Sequence, residues 1–219
     1  MCFSASASFT TAVVLTPVGI YTVKTALQND RRFLGFALFP LLFGVQQAFE
    51  GGLWMAIGNG NAQQSHTLAL GFLFFAYLVW PFLVPFSTSM VEPRSNLRTM
   101  FLGLTVFGGA LGLSLYLPLL VNPDWVPLTL ERHSIDYNSH LIWDGILPQA
   151  VLRIVYAGVV CIPLLLSSER SIRTFGMLIT LSVIIGFLFA QYAFTSVWCF
   201  MAAIISAYIL IVMRQVAAR

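Results

Sequence analysis

Residues 41–55 read LLFGVQQAFEGGLWM, a stretch apolar enough to lie in a lipid bilayer that still carries Gln46, Gln47 and the carboxylate of Glu50. An acidic side chain inside a membrane helix costs about 3 kcal/mol on insertion scales, so it faces a protein partner or a water-filled cavity rather than lipid. The surrounding composition places this stretch in a membrane bundle. Of 219 residues, 58% are hydrophobic and 9% charged, and the mean hydropathy is +0.86. A soluble domain carries about 25% charged residues, so too little polar surface remains here to clothe a water-soluble globule. The expected fold class is all-α, an integral membrane bundle forming one domain over residues 1–219.

Working outward from this stretch, seven apolar segments of membrane-spanning length are predicted near 9–26, 33–57, 67–88, 100–120, 147–166, 175–192 and 195–213. A short turn near Ala193 and Phe194 separates the last two, which also admits a re-entrant hairpin. The start, Met1-Cys2-Phe3-Ser4, lacks the basic region of a secretory signal, so the first apolar run is expected to be a retained helix. Lys24, Arg31 and Arg32 fall in the first connection, Arg94 and Arg98 in the third, Arg170 and Arg173 in the fifth, and Arg214 and Arg219 in the tail. The second and sixth connections carry no Lys or Arg, and the fourth (residues 121–146) sets Arg132 against Asp124, Glu131, Asp136 and Asp144. By the positive-inside rule, this alternation puts the N-terminus outside and the C-terminus in the cytoplasm.

That topology gives Glu50 a depth of about 10 Å below the outer end of its helix, and Arg153 a similar depth in the fifth, at 1.5 Å per residue. The expectation is a buried Glu50–Arg153 pair, or the two sharing a water with Gln47, acting either as a packing clamp or as the heart of an outward-facing polar pocket. Gln191, Trp54, Trp198 and Cys199 complete the expected pocket. Trp54, Trp125, Trp143 and Trp198 also suit an aromatic belt at the outer interface.

The fourth connection offers different chemistry. Were it helical, His133, Tyr137, His140 and Asp144 would share one face, and with His66 from the neighbouring outer loop could hold zinc or copper. The alternative is a hydrated interfacial loop without metal. Cys2 and Cys199 lie on the same face of the membrane, as small apolar fillers, a disulfide, or a soft-metal pair. Cys161 reads as a packing residue.

Several functions are excluded or demoted. The basic residues form no stripe that could track phosphates, so no nucleic-acid partner is expected. The one lysine, Lys24, lies in a connection, so no seventh-helix lysine can carry a retinal Schiff base. No helix holds the paired histidines of a bis-His haem, a ceramidase-like zinc site would need histidines within helices, and no transporter-type internal repeat is visible.

The stretches MCFSASASF, LLFGVQQAFEGGLW, FFAYLVWPFLVPF and SVWCFMAA resemble those of a bacterial family of uncharacterised membrane proteins, a domain-of-unknown-function family with an MCFS start. The matching positions are Cys2, Glu50, Trp54, Trp80, Pro81, Trp198 and Cys199. The resemblance implies a multi-pass bacterial membrane protein and carries over no activity. The expected partners are the lipid bilayer and a small-molecule or metal ligand, with the oligomeric state open. The leading functional expectation is therefore binding, sensing or transport of a small molecule or ion. A metal-dependent hydrolase or redox enzyme, and a structural subunit of a larger membrane complex, are the alternatives.

Overall fold

The computed structural model describes residues 4–131, 134–137, 139–189 and 193–218. It contains seven helical units long and apolar enough to cross a membrane: Ala5–Asn29, Arg31–Gly58, Ala62–Val91, Ser95–Val121, Gln149–Leu166, Arg170–Phe189 and Phe194–Ala217. Each agrees with a predicted segment to within a few residues. His133 and its neighbour Arg132, together with Cys2, Asn138 and Gln191, lie outside the described residues.

Prolines divide several of these units, and each break is satisfied by a neighbour. The first unit is α1 (Ala5–Asn29), capped by Ser4, whose hydroxyl accepts from the Ala7 amide at 3.3 Å. The second unit contains a short helix, α2 (Leu34–Ala37), and then α3 (Phe39–Gly58), with Pro40 in the first turn of α3. At that break the Thr22 hydroxyl of α1 donates to the Ala37 carbonyl at 2.7 Å. A side chain thus serves a backbone group that water cannot reach.

The third unit is α4 (Ala62–Leu73), a π-helical turn over Phe74–Val79, and α5 (Trp80–Val91). The wide turn follows from Pro81. The Trp80 amide donates back to the Phe75 carbonyl, five residues earlier. The next such bond would run from residue 81 to Ala76, and proline has no N–H to give. The Ala76 carbonyl instead accepts from the Tyr156 hydroxyl of α7 (Gln149–Leu166). Pro85 similarly frees the Pro81 carbonyl. Helix α6 (Ser95–Val121) lies against that carbonyl at Gly108 and against the Tyr77 carbonyl at Gly112, where an added Cβ would come within 2.7 Å of the oxygen. The remaining elements are α8 (Arg170–Phe189), α9 (Phe194–Ser206) and α10 (Ile209–Ala217).

The expectation of an all-α chain needs one correction. Between α6 and α7, strands β1 (Leu128–Glu131) and β2 (Ser134–Tyr137) pair antiparallel, Leu128 opposite Tyr137 and Glu131 opposite Ser134. The common helical face expected for His133, Tyr137, His140 and Asp144 therefore does not form. Ser134, Ile135 and Tyr137 are buried, and the Tyr137 ring stacks on Phe72 of α4 with centroids 4.7 Å apart. The hairpin folds down onto the bundle instead of standing in solvent.

The two largest of the four core clusters among the described residues place the apolar interior. One apolar cluster includes Phe33, Phe36, Phe39, Val91, Leu164, Ile172, Phe175 and Met213, near the connections that carry the arginines. The other includes Leu53, Phe72, Leu119, Ile135, Tyr137 and Cys199, near the hairpin. At the arginine end, Glu92 accepts from the Ser168 amide at 2.8 Å and from its hydroxyl at 2.6 Å, and Ser171 donates to Gln215 at 2.6 Å. These bonds tie the third connection, the fifth and the tail together. The glycine contact is open to test by equilibrium unfolding in mixed micelles. Gly108→Ala drives a methyl group into the Pro81 carbonyl and should cost about 3 kcal/mol. Gly103→Ala, whose Cβ meets no atom within 4 Å, should stay within about 0.5 kcal/mol of the parent.

Candidate functional site

Helix α3 brings three polar side chains into the interior, where Gln46, Gln47 and Glu50 are at most 1% exposed. Each finds a partner on the protein. Gln46 accepts from Trp80 Nε1 of α5 at 2.8 Å, and Phe43 stacks on the same indole with centroids 3.9 Å apart. Gln47 Nε2 donates to one Glu50 oxygen at 3.0 Å, and the Ser196 hydroxyl of α9 donates to the other at 2.5 Å.

The expected Glu50–Arg153 ion pair is thus not formed. The reason lies in helix order. The principal neighbours of α3 are α1, α4 and α9, whereas α7, which carries Arg153, packs on α8 and α5. Glu50 therefore meets a serine of α9, and Arg153 instead lies with its guanidinium carbon 5.5 Å from the centroid of the Phe194 ring.

Arg153 belongs to a cavity of about 270 Å³ at the hairpin end. Helix α7 supplies Gln149, Leu152, Arg153 and Tyr156 at the spacing of one helical face. From α9 come Phe194, Thr195, Trp198 and Cys199, and from the π-helical turn Ala76 and Tyr77. The hairpin and the residues after it add Asp136, Tyr137, Ser139 and Leu141, and α6 adds Leu115. Trp198 meets Tyr156 edge-on at 5.5 Å and Phe194 at 5.4 Å. Three buried polar atoms on this wall, Tyr137 Oη, Ser139 Oγ and Trp198 Nε1, have no hydrogen-bond partner among the described residues. Burial, and next the nearby Glu50 carboxylate, push the Tyr137 phenol well above its ordinary range, so it stays a protonated donor. A smaller apolar cavity of about 30 Å³ lies deeper, and Tyr156, Trp198 and Cys199 line both.

Of the expected pocket residues, Arg153, Trp198 and Cys199 line the main cavity. Glu50 lies within electrostatic reach of its Cys199 wall and accepts from Gln47, and neither Glu50 nor Gln47 lines the cavity itself. Trp54 packs in the hairpin-end core, with its Nε1 buried and unpartnered among the described residues. Trp198 is buried in the interior and so is not part of an interfacial belt. Cys199 is a free thiol, and Cys2, its expected disulfide partner, lies outside the described residues. The sequence showed no sign of Ser196, Tyr77, Tyr156 and Thr195, and placed Tyr137 on a candidate metal-binding face instead of in the cavity wall. The one-face spacing of residues 149, 152, 153 and 156 was a usable signal for the α7 wall.

The described histidines, His66 and His140, join no metal-ligating cluster. His140 Nδ1 lies 3.9 Å from Asp144 Oδ2 on an exposed turn, and that carboxylate also accepts from the Leu141 amide at 2.8 Å, as a turn cap does. His66 is on α4 with a buried Nε2. Among the described residues no three His, Cys, Asp or Glu side chains come together as metal ligands. The zinc or copper site expected from His133, His140, Asp144 and His66 gains no support from this arrangement.

The model of the family described as "Family of unknown function (DUF6629)" matches residues 1–219. The chain belongs to that family. No curated protein and no solved structure matches it.

A double-mutant cycle on unfolding free energy tests the Glu50 assignment. Ser196→Ala should cost about 2 kcal/mol, as removal of a donor to a buried carboxylate does. It should couple to Glu50→Gln by at least about 1 kcal/mol, while Glu50→Gln and Arg153→Gln add to within about 0.5 kcal/mol.

Proposed function

We propose that this chain is a multi-pass protein of a bacterial inner membrane, N-terminus outside and C-terminus cytoplasmic, that binds a small molecule in the cavity beneath the hairpin for sensing or transport. The alternation of basic connections supports the orientation. It turns the hairpin and the cavity outward, and the Glu92–Ser168 end towards the cytoplasm.

One observation carries the binding reading. The cavity wall holds three buried polar atoms with no described partner, set among aromatic faces. Unpaired buried polar groups each cost about 1–3 kcal/mol, and a concave, mostly apolar site with a few convergent polar groups is how proteins take up small ligands. A chain serving only as a structural subunit has no need of them.

Orientation is read by reporter fusions. A fluorescent protein fused after Arg219 should fold and fluoresce, and alkaline phosphatase inserted at Gly60 should be active; the reverse pattern would invert the topology. Binding is read by thermal unfolding in nanodiscs against a library of small fragments. A fragment at a hundred times its Kd should stabilise the parent by about 2.7 kcal/mol. It should lose that effect in Thr195→Phe, which fills the cavity. A library without a single stabilising fragment, or equal stabilisation of the filled variant, would sink the reading.

A further inference from the structure

At the arginine end the acidic side chains, Asp30, Glu92 and Glu169, are engaged within the protein. Asp30 lies 2.7 Å from the Arg32 guanidinium. Glu92 accepts from Ser168 and, at 3.2 Å, from the Arg94 amide. Glu169 stands within electrostatic reach of Arg32. Lys24, Arg98, Arg173 and Arg214, by contrast, are exposed and make no ion pair among the described residues.

Each of these four basic residues stands about one helical turn from an exposed apolar one. On α1 Lys24 follows Ile20, on α6 Arg98 precedes Leu102, on α8 Arg173 precedes Met177, and on α10 Arg214 follows Ile211. Spacings of three and four put both members on one helix face, and every apolar member is at least 42% exposed. Helices α1 and α10 run into the arginine end, whereas α6 and α8 leave it. In all four pairs the basic member is therefore nearer that end and the apolar member nearer the middle of the bundle. Helix α10 packs on both α1 and α8, so three of the pairs stand on neighbouring helices.

A cation above an apolar side chain is the complement of a phospholipid, whose phosphate sits above its acyl chains. Long basic side chains reach up to the headgroup level while their stems stay in apolar surroundings. A zwitterionic headgroup brings its own cation and no net charge to attract the basic members. An acidic soluble protein would meet the basic members and leave the apolar ones uncovered.

Resting on the reading of the chain as a membrane protein, and not on the cavity, we infer that the arginine end binds phospholipids with anionic headgroups. The phosphate is seated by Lys24, Arg98, Arg173 or Arg214, and the acyl chain runs along the apolar partner on the same helix face.

Native mass spectrometry of the intact protein released from micelles decides the matter. The probes are phosphatidylglycerol, phosphatidylcholine with the same acyl chains, and glycerol 3-phosphate. The first phosphatidylglycerol should bind about fivefold more tightly than the first phosphatidylcholine, the gain from one basic side chain near an anionic headgroup. Glycerol 3-phosphate offers the phosphate without acyl chains and should leave no adduct. Replacing the four basic members together (Lys24→Gln, Arg98→Gln, Arg173→Gln, Arg214→Gln) should bring the two lipids to within about twofold of each other. Replacing Arg31, Arg94 and Arg170 by Gln, which are exposed but have no exposed apolar residue a turn deeper on a helix, should keep most of the preference. Equal binding of the two lipids, tighter binding of phosphatidylcholine, or an adduct of glycerol 3-phosphate would each overturn the inference. All three are read on the parent protein, independent of any variant's folding. Loss of the preference in the second variant and not the first would overturn it as well. Recovery of the chain outside the membrane fraction would remove the membrane reading and this inference together, whereas equal binding of the two lipids removes only the inference.

Discussion

Much of this fold depends on one missing hydrogen. Pro81 has no N–H, so the helix before it cannot close its ladder and opens into a π-helical turn over Phe74–Val79. In water such a defect would be solvated; within an apolar bundle each freed carbonyl must find a donor or a close neighbour. Ala76 takes the Tyr156 hydroxyl, which fixes α7 against the third unit. The Tyr77 and Pro81 carbonyls are met by the side-chain-free backbone of α6 at Gly112 and Gly108. The same turn leaves Ala76 and Tyr77 facing the space between α7 and α9. The cavity is thus a consequence of how the break is repaired, in keeping with the frequent occurrence of π-bulges at functional sites.

Glu50 illustrates the second constraint, that a buried charge-bearing group must be met by donors. Two neutral donors, Gln47 and Ser196, serve its two oxygens. A buried ion pair demands desolvation of two charges and often gains nothing over an apolar contact; amide and hydroxyl donors involve only one ionisable group. The arrangement also joins α3 to α9, while Gln46 joins α3 to α5 through Trp80. The polar residues of one helix therefore set the position of two others, and α9 in turn presents Trp198 and Cys199 to the cavity.

Much of the architecture was legible in the chain. Hydropathy located the seven units because a helix shows its length and polarity directly in sequence. The pairing of Glu50 with Arg153 failed for a definite reason. Rise per residue yields depth along the bundle, but which helices stand side by side is decided by packing, and two groups at one depth can face different neighbours. The hairpin escaped because its turn lies among charged and polar residues, while the alternation that marks β2 extends over only four, Ser134–Tyr137. Tyr137, expected on a helical face with His140 and Asp144, proves to be part of a strand, of the core and of the cavity wall. Ser196 had no distinguishing signal, since serine is common in membrane helices and bonds most often to its own backbone, as Ser182 and Ser206 do.

The two ends of the bundle differ in a way that bears on how such a site is used. At the arginine end, the third and fifth connections are tied through Glu92 and Ser168, and beneath them Phe36, Phe39, Phe175, Leu164 and Ile172 are almost wholly buried. At the hairpin end lie the cavity, the buried polar atoms without a partner among the described residues, and a short two-stranded hairpin. Between the two, Tyr156, Trp198 and Cys199 form a septum with a second, apolar cavity of about 30 Å³ on its far side, space for about one water. Passage through the bundle would require parting that septum and then a well-packed aromatic layer, whereas above the cavity on the hairpin side the described elements are a two-stranded hairpin and the residues after it. If the cavity is a binding site as proposed, that asymmetry favours loading and emptying from the hairpin side.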